Sequence, residues 1–312
     1  MNSFSVMVLM STYNGGRFLR QQLDSILKQD KVDVFLLVRD DGSKDETCII
    51  LEEYASKNCN IRWVEGNNLG FVRSFSELVK MALNNGVHTD YYAFADQDDV
   101  WFPEKLHTAC SSLHFEDNSK PNLFTSNSMQ IDAEGGEIGL FHKDSFPRYR
   151  RGNVLIYGTE QGCSMVFNRK ALELYNLKEP TVTYHDRWIF FICFYLGTIR
   201  YNHNPLFYYR IHGGNAIGSI EKRILKNRWL NFLYQTIFSP PLNNHHAMAG
   251  EFFTSFNDKL SQSDIRLFML YLRYRASVFS KIKMLFSREF ICPYPQLKSR
   301  IFYFMCIMFN KI

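Results

Sequence analysis

Apolar residues in the first hundred positions come in short unbroken runs, each closed by a polar cluster and followed by a stretch of helical spacing. Val6-Met7-Val8-Leu9-Met10 is the first run, and Ser11-Thr12-Tyr13-Asn14-Gly15-Gly16 breaks it with turn residues. Leu19, Leu23, Ile26 and Leu27 then recur at helical intervals to about Lys28. Val34-Phe35-Leu36-Leu37-Val38 is the second run, closed by Arg39-Asp40-Asp41-Gly42-Ser43. Ser43 and Glu46 have the spacing of a capping box, which predicts a helix that starts there and turns Ile50, Leu51 and Tyr54 inward. Ile61 to Glu65 reads as a third strand, and Phe75, Leu78, Val79 and Ala82 mark a third helix. Runs without polar alternation suit strands buried on both faces. The rhythm predicts an α/β fold of right-handed βαβ units, with a parallel sheet covered by helices on both faces. Every polar cluster then falls at the C-terminal end of a strand, on the rim where open α/β sheets hold ligands.

A fourth run, Tyr91 to Ala95, leads into Asp96-Gln97-Asp98-Asp99-Val100-Trp101, three carboxylates within four residues. Such groups repel one another and are costly to desolvate unless a cation offsets them. Hard oxygen ligands of this kind suit Mg2+ or Mn2+. The same string also reads as a solvated acidic turn that caps the next helix at Pro103.

Beyond Pro103 the pattern predicts a helix to about Phe115, a strand from Asn122 to Ile131, a turn at Asp132 to Gly136, and a basic loop around Arg148, Arg150 and Arg151. Gln161 to Phe167 reads as a strand, and His185-Asp186 opens an apolar helix from Arg187 to Leu196. Leu206 to Ile211 is another strand, ending at His212-Gly213-Gly214-Asn215. From Ile220 the segments become long, basic and helical. Leu267, Tyr271, Tyr274, Val278, Ile282 and Leu285 form one apolar stripe, and Lys298 to Lys311 is a shorter basic-aromatic segment. The expected organisation is a domain at 1–219 and a basic, mainly helical extension at 220–312.

Charge sharpens that division. Fourteen Lys and Arg against five Asp and Glu from Ile220 onward leave +9, so the residues before it carry −4 of the overall +5. An acidic body suits a cation-dependent site, and a basic tail suits an anionic partner. The tail holds no nucleic-acid motif, which points away from nucleic acid and toward an anionic membrane surface. A stripe at that spacing equally fits a core contact. Apolar residues make up 46% of the chain, enough to exclude disorder. Seven cysteines with no C-x-x-C spacing, most inside apolar runs, read as buried hydrophobes of a reducing compartment. No secretion signal is visible, and the longest apolar run, Trp188 to Ile199, is too short to span a bilayer. The expected location is cytoplasmic, peripheral on the inner face of the membrane at most.

In this order the pieces resemble the family 2 glycosyltransferases of the GT-A fold, and among them the bacterial rhamnosyltransferase-like members that build surface polysaccharides. The resemblance rests on Ser11-Thr12-Tyr13-Asn14-Gly15, Asp40-Asp41-Gly42-Ser43, the stretch from Asn67 through Asn68 and Gly70 to Phe71, and Asp96-Gln97-Asp98-Asp99-Val100-Trp101. Further matches are Gly162 to Arg169, His185-Asp186, and Tyr209-Arg210-Ile211-His212-Gly213-Gly214-Asn215. They cover residues 4 to about 219; the tail beyond has no counterpart among them, so neither partner nor acceptor carries over to it.

The resemblance implies a role for each cluster. Thr12, Tyr13 and Asn14 would line the nucleotide with Asn68 and Gln97, and Asp41 would accept a hydrogen bond from a pyrimidine N–H. Asp40 and Asp41 also fit the positive end of a helix. Asp98 would bind the divalent ion, Asp96 would support the ribose or the ion's water, and His212 would complete the metal site, although a lone His is also a common structural residue. Asp99 and Trp101 would face the sugar or acceptor. Asp186 would be the general base for an inverting transfer, a position that also suits an N-cap. His185, Trp188, Gly162 and Cys163 would shape the acceptor pocket. The implied donor is a dTDP- or UDP-sugar, with rhamnose first and galactose or glucose next, and the implied acceptor is a lipid-linked oligosaccharide. Two rival readings use the same residues. Asp96 to Val100 also satisfies the D-x-D-x-V string of haloacid-dehalogenase-like phosphatases, which would make Asp96 a nucleophile. A non-catalytic sugar-binding scaffold would need none of this chemistry.

Overall fold

Val6, Val8, Leu9 and Met10 expose no surface, because the strand that carries them, β1 (Phe4–Thr12), lies between two parallel neighbours. Those neighbours are β2 (Val32–Asp40) and β4 (Tyr91–Ala95), and β3 (Ile61–Glu65) extends the parallel set beyond β2. The computed structural model describes residues 3–143, 147–157, 160–181, 183–213, 245–293 and 297–310. They fall into two compact units: Met1–Ser145 with Glu160–Glu179 and Tyr184–His212, and Phe146–Thr159 with Pro180–Thr183 and Gly213–Ile312.

In the first unit α1 (Gly16–Leu27), α2 (Thr47–Lys57) and α3 (Phe71–Asn84) follow the first three strands, as the periodicity predicts. Past β4 the sheet becomes mixed. A two-residue strand β5 (Val100–Trp101) leads to α4 (Lys105–Leu113), then β6 (Asn122–Ile131) and β7 (Glu137–Leu140). After β8 (Val166–Asn168) come α5 (Arg169–Leu177), α6 (His185–Leu196) and the long strand β9 (Thr198–Arg210). Across the sheet the order is β3-β2-β1-β4-β8-β6-β9-β5, with β7 on β6. β8 is antiparallel to both β4 and β6, which breaks the all-parallel expectation, while β1 to β4 are parallel to one another and β6 is parallel to β9.

Local corrections have local causes. The capping box of Ser43 and Glu46 does not form: α2 starts at Thr47, Glu46 makes no side-chain cap, and the Ser43 hydroxyl donates to Asp40 instead. The strand expected over Gln161 to Phe167 is a 3₁₀ turn at Gly162–Ser164 followed by the short β8.

The second unit is helical: α7 (His245–Phe256), α8 (Gln262–Arg273), α9 (Val278–Phe286) and α10 (Leu297–Met308). Its core includes Phe252, Phe256, Phe268, Tyr271, Tyr274 and Met284. The expected apolar stripe is split, because the helix ends at Arg273 and a new one starts after the Ser277 cap; Val278 and Ile282 then face outward while Met284 faces in. The basic loop is tied into this unit. Arg151 Nη2 donates to buried Asp264 at 2.7 Å, and Asn153 Nδ2 donates to Ile291 O at 2.7 Å. Among the described residues no helix is long and apolar enough to cross a membrane.

Candidate active site

The acidic loop is held between two strands that are far apart in the sheet. β4 delivers Asp96 from the centre, and β5 then pairs antiparallel with β9 at the edge, Val100 against Tyr208. Continuing that register two residues places Asp98 opposite Arg210. Arg210 uses the position fully. Its N–H donates to Asp99 Oδ1 at 3.2 Å, its Nε to Asp98 O at 2.9 Å, and its Nη2 to Gln21 Oε1 at 2.7 Å. Two residues on, His212 Nε2 lies 2.7 Å from Asp98 Oδ2, and its ring packs on Phe18. The sequence motif contained Arg210 but gave it no role; a lone Arg inside an apolar strand was the available signal.

Asp98 and His212 keep part of their surface, and together they offer a carboxylate oxygen and an imidazole nitrogen to one point. That mixed oxygen and nitrogen donor set fits a divalent transition ion such as Mn2+ better than Mg2+, which prefers oxygen ligands alone. A second group lies deeper: one ligand atom each from Asp96, Asp99 and Cys163 fall within 4.8 Å of one another. Burial and the two carboxylates push the Cys163 thiol up, so it stays protonated and is a poor ligand for a hard ion. Burial, then the charges of Asp98 and Asp186, push Asp96 up to about 7. Asp99 is raised by burial first and then by Asp98 and Asp96. The negative charge gathered here is what a cation would relieve.

Lys105 sits at the start of α4, fully buried, with its Nζ 3.7 Å from the Trp101 ring centroid. Burial pulls it down to about 8, and Cys163 and Asp99 pull the other way. Trp101 is therefore a core side chain beneath the loop, not a wall of a sugar pocket. Trp188 corrects the same way: it exposes nothing, and its Nε1 donates to Lys178 O at 2.7 Å.

Asp186 stands in the first turn of α6, where Tyr184 and not Asp186 occupies the cap position. It is partly exposed and lies against Gly162, where a Cβ would meet Asp186 Cβ at 3.1 Å and His185 Nε2 at 3.2 Å. A side chain here would crowd Asp186 and His185, which would have to give by a few tenths of an ångström. Burial pushes Asp186 up to about 6, against the Arg187 N–H and the Arg187 charge, which lower it. His185 stacks on Phe75 with centroids 3.7 Å apart, and burial pulls it down to about 3, so the ring is neutral. Asp186 thus neighbours Gly162, the next residue Cys163 lies beside Asp96 and Asp99, and Asp98 meets His212.

The opposite part of the rim uses its polar groups on the chain itself. Asp40 accepts from Thr12 Oγ1 at 2.8 Å, Ser43 Oγ at 2.6 Å and Ser43 N at 2.8 Å. Asp41 accepts from Leu69 N and Gly70 N, both at 2.8 Å, and pairs with buried Arg39. The carboxylate expected to read a pyrimidine N–H is buried and spent on the loop at 67–70. Thr12 is likewise buried with its hydroxyl committed to Asp40. Gln97 Oε1 accepts from Tyr13 N at 2.8 Å and its Nε2 donates to Tyr13 O, while Asn14 Oδ1 accepts from Lys44 N at 2.7 Å. Gln97 and Asn14 therefore fasten loops together. Tyr13 and Asn68 remain exposed at the rim.

The Glycosyl transferase family 2 model matches residues 7–175. An uncharacterised glycosyltransferase of Rickettsia prowazekii (strain Madrid E) is 25% identical over 242 residues, 73% of this chain and 71% of the relative. The dTDP-rhamnosyl transferase RfbG of Shigella flexneri is 28% identical over 225 residues, 67% of this chain and 74% of the relative. Among solved structures, S. aureus TarS 1-349 in complex with UDP-GlcNAc aligns with a TM-score of 0.56 at 16% identity, covering 97% of this chain and 90% of that one, a likeness of fold.

Proposed function

This chain belongs to glycosyl transferase family 2, and we propose that it is an inverting, metal-dependent transferase that moves a hexose from a nucleotide-diphosphate donor to a lipid-linked glycan during surface-polysaccharide assembly. The reading is supported by the run of neighbours from Asp186 beside Gly162, through Cys163 and Asp96, to the Asp98–His212 pair. Rhamnose from a dTDP donor is the first assignment, supported by the similarity to the dTDP-rhamnosyl transferase RfbG; galactose or glucose from a UDP donor comes second.

Asp186 accepts the proton of the acceptor hydroxyl as that oxygen bonds to the anomeric carbon from the side opposite the diphosphate. The bond to the nucleoside diphosphate breaks with its electron pair, and the configuration inverts. A pKa of about 6 leaves Asp186 ionised at neutral pH yet basic enough to take a proton. Asp98 and His212 would hold a divalent cation, which would supply positive charge beside the departing diphosphate. Asp96 and Asp99 lie beside that pair, and Arg210 fixes the loop that carries them. Exposed Tyr13 and Asn68 are the side chains left to meet the nucleotide, and Asp41 serves it by shaping their loop. The phosphatase alternative places its acid string on the first strand, whereas here the string follows β4 inside the matched transferase region.

A thermal-shift screen of dTDP- and UDP-sugars with Mn2+ tests the proposal. A donor at about a hundred times its Kd should stabilise the fold by about 2.7 kcal/mol, and Asp98→Ala should remove the manganese-dependent part. A screen in which no nucleotide sugar raises the midpoint, or an Asp98→Ala protein that responds as the parent does, overturns it.

A further inference from the structure

The last helices of the second unit present apolar residues outward. Val278, Phe279 and Phe286 of α9 are 73%, 75% and 86% exposed, and Ile282 is 49% exposed. At the helical repeat these four side chains fall within an arc of about 100°. The opposite side carries Ser280 and Met284, both buried, so α9 is already seated on its own core by its other face. Lys281 and Lys283 stand on the two flanks of the exposed arc, and Lys281 Nζ reaches Met308 O of α10 at 3.1 Å. α10 repeats the pattern. Leu297, Phe304 and Met308, at spacings of seven and four, are exposed together with Arg300, while Tyr303, Cys306 and Ile307 are buried.

Charge identifies the occupant. From Arg275 to the end the chain carries seven Lys and Arg and a single acidic residue, Glu289. Contiguous apolar surface on a monomeric protein marks an interaction site. Protein interfaces are depleted in Lys, whereas lysines that flank an aromatic and aliphatic face are the pattern of a helix lying in a lipid headgroup layer, with their stems along the apolar surface and their ammonium groups at the phosphates. We propose that the exposed face of Val278–Phe286, with the adjoining face of Leu297–Met308, docks on an anionic lipid bilayer. It deepens the lipid-linked acceptor reading and rests on that reading for its purpose only; binding to vesicles is measured without any sugar transfer.

The full chain is sedimented with vesicles of phosphatidylcholine and with vesicles that also contain phosphatidylglycerol. It should pellet with the anionic vesicles and lose that partition as salt rises. Phe279→Ser with Phe286→Ser, both surface changes, should weaken partition about tenfold or more at an unchanged circular dichroism spectrum. Lys283→Glu should reduce binding to the anionic vesicles alone. The proposal is overturned if the parent stays in the supernatant, if it binds both vesicle types equally, or if the double substitution leaves partition intact. It is also overturned if the parent is a dimer that the double substitution converts to a monomer while vesicles capture neither.

Discussion

Asp40 and Asp41 close β2 as Asp96, Asp98 and Asp99 close β4, yet the two sets of carboxylates meet opposite surroundings. At the β2 end each oxygen finds donors from the chain: hydroxyls of Thr12 and Ser43, N–H groups of Gly42, Ser43, Leu69 and Gly70, and the Arg39 guanidinium. At the β4 end donors are fewer, the His212 ring for Asp98 and the Arg210 N–H for Asp99, and the carboxylates crowd one another. Asp96 and Asp99 are raised by burial and by their acidic neighbours, and one oxygen of Asp99 is buried with no hydrogen-bond partner. The first set fixes a loop; in the second, crowded carboxylates are left with charge that the fold itself does not offset.

Substitutions separate the two roles, and the largest effect belongs to the charge-crowded side. Asp186→Asn removes the base and keeps the shape. The turnover number should fall roughly 10²- to 10⁴-fold while donor binding, read by thermal shift, stays within a few-fold of the parent. Equal losses of turnover and donor affinity would show that Asp186 holds the donor instead. At the β2 end Asp40→Ala should do the reverse. It strands several buried donors and should cost about 3 kcal/mol of stability in urea unfolding, with the turnover number of the folded fraction little changed. A variant as stable as the parent would mean that the Thr12–Asp40–Ser43 knot is not what holds the loop.

The difference between the two ends was only partly legible in the sequence. Both read as acidic strand ends, since a run buried on two faces announces a strand and its polar terminus announces a rim. What a carboxylate meets there depends on chain segments far away. Leu69 and Gly70 satisfy Asp41 from the next crossover, and Arg210 reaches Asp98 through the pairing of β5 with β9. A strand of two residues has no periodicity to detect, so that pairing was invisible. Trp101 and Trp188 were drawn to the pocket by adjacency in sequence to acidic residues, while their size sends them to the core. Asp186 enters only through the family resemblance carried by His185-Asp186, and its closeness to Gly162 is a tertiary fact.

The smallest expected effect tests whether charge is held at the catalytic end against the interest of the fold. Burial raises Asp186 from its ordinary 3.8 to about 6 in the folded chain. A carboxyl group whose folded pKa lies above its unfolded one binds its proton more tightly when folded. Its favourable contribution is complete below about pH 4 and is lost as pH rises through about 6, so at neutral pH the ionised group destabilises the fold. Asp186→Asn, which cannot ionise, should therefore raise the thermal midpoint slightly at pH 7.5 and leave the difference from the parent smaller at pH 4. In the parent, transfer should fall as pH drops through about 6, when the base becomes protonated. An Asp186→Asn protein less stable than the parent at pH 7.5, with the gap closing toward pH 4, would reverse the sign and place the Asp186 charge among the interactions that support the fold.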